Sequence, residues 1–147
     1  MSSFPVSIRA ARAHISSLWN GLLKVRMPNT WVPVPVKRAL MEAIIVSIHA
    51  ILKSPMARRI TPNKIYDTMQ LLRVDDIEEY KPEPGERADK WFARIVSKKD
   101  DETVSEWIER VSKICEATMA YIVSMRITEE MLFETDTENI ESLLDLK

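Results

Sequence analysis

Arg9, Arg12, Lys24 and Arg26 are the side chains whose type and spacing best suit a chemical task. Guanidinium and ammonium groups repeated along one helix hold phosphate oxygens without reading bases. The task they suit is therefore gripping a nucleic-acid backbone. Lys37, Arg38, Arg58 and Arg59 follow and are expected to support the same contacts. Spacing that would carry catalysis is missing. His14, His49 and Cys115 are far apart and form no metal-ligand pattern. Gly21 and Gly85 are the only 2 glycines, which leaves no phosphate-cradling loop. The carboxylate pairs Asp75-Asp76 and Asp100-Asp101 fall where loops are expected, and solvation is their default role. The chain therefore reads as a non-enzyme that calls for no metal and no cofactor.

The element that positions the leading cations is an amphipathic helix over residues 7–25. Ile8, Ala11, Ile15, Leu18, Leu22 and Val25 fall on one stripe, and Arg9, Arg12, Ser16, Asn20 and Lys24 on the other. Pro28, Pro33 and Pro35 then break the helix, so residues 27–35 are expected to run extended. Residues 1–35 thus read as a basic arm on a stiff tether. Residues 36–147 read as a compact helical bundle with an acidic C-terminal tail. The fold class is all-α, because 3.6-residue patterns recur along a glycine-poor, densely charged chain.

Within the bundle, residues 36–54 leave little polar surface, with Lys37, Arg38 and Lys53 at the ends, and predict a buried helix with His49 as a satisfied core residue. A basic turn at residues 54–59 precedes a helix capped by Thr61, with Pro62 in its first turn. That helix is expected to reach about residue 74 and to turn Ile65, Met69 and Leu72 inward. Residues 75–87 carry six acids, two prolines and a glycine, the make-up of an exposed loop. Trp91, Phe92 and Ile95 mark a helix over residues 86–97. A polar turn at residues 98–101 follows, where a short strand pair is the alternative. Thr103 and Glu106 form a capping box, and an apolar stripe from Val104 to Met125 follows it. Cys115 lies on that stripe as a packing residue rather than a nucleophile. Thr128 is placed to cap a sixth helix, and Ile140, Leu143, Leu144 and Leu146 suit a seventh. The acidic residues 129–145 suit a strap between subunits or a frayed end.

A net charge of -1 conceals a sharp division. Residues 1–65 carry ten Lys and Arg against Glu42 alone, which is +9; residues 66–147 carry 11 bases and 21 acids, which is -10. Such asymmetry suggests a polyanion for the basic half. The alternative is head-to-tail association of basic arm and acidic tail between copies, and the two are compatible. No apolar run is long enough to span a membrane and no secretory leader is apparent, so the expected setting is intracellular or within a particle. The aromatic residues form no stacking platform for single strands. Only Trp31, among prolines, looks free for that role, so duplex DNA is the better expectation.

The layout of Arg9 to Arg38, with Pro28, Pro33 and Pro35 as a bend before a helical bundle, resembles the coat proteins of filamentous archaeal DNA viruses. That resemblance implies arms that wrap the duplex, bundles that face outward, and a virion setting. The chain is also similar in size and class to the helical small subunit of archaeal CRISPR surveillance complexes. In that likeness residues 43–74 supply core, and Arg58 and Arg59 face the strand. The expectation is a non-enzymatic subunit that repeats along a nucleic acid. The contrasting class is a helical protein-interaction module whose arm packs on a partner.

Overall fold

Thr103 and Glu106 start the longest described helix, Val104–Ser124. Thr103 Oγ1 accepts the Glu106 N–H at 3.1 Å, and Glu106 Oε1 accepts the Thr103 N–H at 2.9 Å, closing the expected capping box. The computed structural model describes residues 8–125, and within them all side chains except those of residues 8–12, Met56 and Arg58. Among the described residues the helices are α1 (Ile8–Val25), α2 (Val34–Lys53), α3 (Pro62–Leu71), α4 (Ala88–Ile95) and α5 (Val104–Ser124). Short 3-10 helices at Pro55–Arg59 and Ile77–Tyr80 join them. The fold is all-α. The polar turn at residues 98–101 holds no strand pair. The expected sixth and seventh helices and the acidic tail lie outside the described residues.

α5 buries Trp107, Ile108, Val111, Ile114, Cys115, Met119 and Ile122, and it packs against α1, α2 and α3. α1 joins the same core through Leu18, Leu22 and Val25, three residues of the predicted stripe. α1 and α2 approach closely at Gly21, where a Cβ would sit 3.0 Å from Ile44 Cδ1. Two indole N–H groups fix the α4 region. Trp91 Nε1 donates to Tyr80 O at 2.7 Å, and Trp107 Nε1 donates to Val96 O at 2.8 Å.

Several expectations need correction. The proline segment is not extended: Trp31 N–H and Val32 N–H both donate to Pro28 O, at 2.9 and 3.0 Å. α2 already begins at Val34, because Pro35 in a first helical turn gives up an N–H that would have no partner there. α2 is not buried all round. Met41, Ile44, Ile48 and Ile51 face the core, while Ala39, Ala43 and Val46 face outward, Val46 at 68% exposure. Apolar residues on every side of a helix do not require every side to be covered, and α1, α4 and α5 pack on only part of this one. His49 is half-buried.

α3 stops at Leu71, short of residue 74. Val74 N–H donates to Met69 O and Arg73 N–H to Gln70 O, the paired bonds that end a helix in a Schellman motif. Arg73 takes the left-handed conformation there, with φ of 56°. Leu72 is consequently half exposed rather than inward, and Val74 packs on the core instead. The acidic stretch at residues 75–87 is not wholly an exposed loop, since Tyr80 is buried and receives the Trp91 indole N–H. α4 is shorter than predicted, yet it buries Trp91, Phe92 and Ile95 as its spacing requires.

Candidate nucleic-acid interface

The predicted cations divide into several groups once the chain is folded. Arg9 and Arg12 stand on the backbone of α1, and Arg58 on the 3-10 helix Pro55–Arg59; their side chains lie outside the described residues. Lys24 is exposed in the last turn of α1, where the negative end of the helix dipole favours a cation. Arg38 is exposed and pairs with Glu42 one turn along α2 at 3.2 Å. Arg59 is exposed and has a partner.

Arg26 and Lys37 each hold part of the fold in place. Arg26 donates through Nη1 to Glu116 at 2.9 Å and through Nη2 to Ser112 O at 3.4 Å, which ties the end of α1 to α5. Lys37 is buried, and its Nζ donates to Met27 O and to Asn29 Oδ1, the latter at 2.7 Å. The ammonium thereby pins the α1–α2 turn onto the first turns of α2. Both residues also line a cleft of about 420 Å³ whose far wall is α5, where Ser105, Glu109 and Lys113 face them. Lys113 did not stand out in the sequence. Its place on the polar side of an amphipathic helix says nothing about which neighbour that side meets.

In the acidic half five of the nine described Lys and Arg pair with a carboxylate, among them Arg94 with Glu86 at 2.8 Å, Lys99 with Glu79 at 2.7 Å and Arg110 with Glu102 at 2.6 Å. Arg87 and Lys113 pair with Asp89 and Asp75. Hydrogen bonds from Arg110 hold the Glu102 carboxyl below its ordinary range, and Arg94 does the same for Glu86. In the basic half, Lys24, Lys53 and Lys64 are exposed and form no ion pair among the described residues. Positive charge in excess of its partners is thus left at the surface of α1, α2 and α3.

No described set of three His, Cys, Asp or Glu side chains is grouped to hold a metal ion. No described helix is long and apolar enough to cross a membrane. Trp31 stands out from the α1–α2 turn at 74% exposure, whereas Trp91 and Trp107 are in the core and Trp19 packs against it. Compared with known proteins, the chain matches no family model, no curated protein and no solved structure.

Proposed function

We propose that this protein is a non-enzymatic helical subunit that binds the backbone of nucleic acid, duplex DNA above all, and repeats along it in the manner of a coat protein. The observation that carries the reading is the set of exposed lysines Lys24, Lys53 and Lys64 on α1, α2 and α3, which form no ion pair among the described residues. They belong to a half-chain of charge +9, whereas residues 66–147 carry -10. Unpaired surface cations attract a polyanion and release its counterions. A few such contacts per copy bind weakly, and many copies in a row bind tightly. Contacts of this kind carry no base specificity.

A second reading is a protein-interaction module, favoured by the exposed apolar side chains Leu23, Trp31, Val46 and Leu71. Contacts between copies would use the same side chains, so the two readings differ in their response to DNA. The deciding experiment is duplex binding by the full chain at about 50 and about 200 mM salt. Beside it runs a variant with Arg9, Arg12, Lys24 and Arg26 changed to Gln. Binding that weakens steeply with salt, with a flatter slope in the variant, supports phosphate contact by these four cations. Absence of binding at low salt, together with association of the chain alone, turns the assignment to the interaction module.

A further inference from the structure

Lys37 is 8% exposed, and its two acceptors, Met27 O and Asn29 Oδ1, are both uncharged. No carboxylate of a described residue pairs with it, unlike Arg26 and Lys113, which line the same cleft. An ammonium withdrawn from water usually gains a counter-charge, since burial of an unpaired charge is costly. Here no described residue supplies the counter-charge, and the open side of the site is a cleft. Three cations, Arg26, Lys37 and Lys113, line that cleft against the single carboxylate Glu109.

The donors around the cleft are also held in place. Lys37 has used two of its three N–H bonds, and Arg26 is anchored by Glu116 and Ser112 O while keeping its Nε–H. Asn29 accepts through Oδ1, which leaves its amide N–H groups as donors beside the cleft. Ser105 adds a hydroxyl from α5. Donors fixed before binding lose little side-chain freedom on binding, which separates this arrangement from scattered surface lysines.

We propose that this cleft seats one phosphodiester group of a nucleic acid, held by Arg26, Lys37 and Lys113. The inference rests on the backbone-binding reading above and adds a fixed seat on the α5 side of the bundle. Lys37 supplies a charge that no described carboxylate pairs, Arg26 and Lys113 flank it, and Asn29 and Ser105 donate to the remaining oxygens.

The test is binding of the full chain to a duplex of about 20 base pairs across a salt series. Wild type is compared with Lys113→Gln, Glu109→Gln and Lys98→Gln, the last a control outside the cleft. Lys113→Gln should lower the slope of log affinity against log salt by about 0.9, the share of one phosphate contact. Glu109→Gln should tighten binding, and Lys98→Gln should leave it unchanged. Added duplex should also move the NMR resonances of the Asn29 side-chain amide. Wild-type binding that Lys113→Gln leaves unaltered, or an unmoved Asn29 amide, overturns the cleft and leaves the backbone reading standing. Failure of the wild type to bind at low salt overturns both.

Discussion

Arg26 Nη1 lies 2.9 Å from Glu116 Oε2, joining the basic and acidic halves of the chain across 90 residues. The two side chains are 36% and 40% exposed, so water and salt screen the pair. Arg26→Gln should therefore cost less than about 1 kcal/mol of stability. Urea denaturation at low salt measures that cost, and the difference from wild type should shrink at high salt. A loss of several kcal/mol would show that Arg26 supports α1 through packing as well as charge.

Arg110 has a different standing. It donates to Glu102 at 2.6 Å, to Ile95 O at 2.8 Å and to Ser97 O at 2.8 Å, so one side chain joins α5 to the end of α4. Arg110 and Glu102 are 15% and 9% exposed. Arg110→Met leaves Glu102 with little solvent, no counter-charge and only the Lys99 N–H as a hydrogen-bond donor, and should cost about 3 kcal/mol in chemical denaturation.

Acid should act through the same groups. Arg110 and Arg94 hold the Glu102 and Glu86 carboxyls below their ordinary value of 4.5. Unfolded, these carboxyls take up protons near pH 4.5; folded, they stay ionised to lower pH. Their contribution to stability is thus complete above that value and is lost as pH falls below it. The thermal midpoint should drop between about pH 5 and 3, and Arg110→Met should flatten the fall.

Cys115 is fully buried on α5, and burial pushes its thiol pKa far up. The reactive thiolate is therefore scarce in the folded chain. A colorimetric disulfide reagent at about pH 8 should leave native protein unmodified and titrate one thiol after denaturant is added, since the chain has 1 Cys. Fast reaction of the native protein would show that α5 opens readily.

Arg73 occupies the left-handed position of the Schellman motif at the end of α3, with φ of 56°. A Cβ is unfavourable there, and glycine is the residue that position favours. Arg73→Gly should raise stability by about 0.5–1 kcal/mol, visible as a higher denaturation midpoint at an unchanged slope. A lower midpoint would mean that the arginine side chain contributes more than its backbone costs.

Most of the helical skeleton was legible in the chain, because each signal is local. The Thr103–Glu106 box acts across three residues, and the stripe of Trp107, Val111 and Ile114 declares a buried face wherever the helix lies. The all-α class and the burial of Trp91, Phe92 and Cys115 follow from such patterns alone. Two local features were still misread. The prolines near residue 33 mark a helix start as readily as an extended tether, and Arg73 ends α3 by a motif that usually shows itself through glycine.

The candidate site was legible only as a set of charges. Sequence determined that residues 1–65 carry a large positive excess, because charge is counted without coordinates. Only the packing of α1 and α2 on α5 decided what each cation does. It buried Lys37 on two neutral oxygens, tied Arg26 to Glu116, left Lys24 at the surface, and brought Lys113 from α5 to face a turn far away in sequence. Helical periodicity says that a residue is polar and which side of its own helix it occupies. Its partner lies on another element, and the apolar residues on the opposite side decide where that element packs.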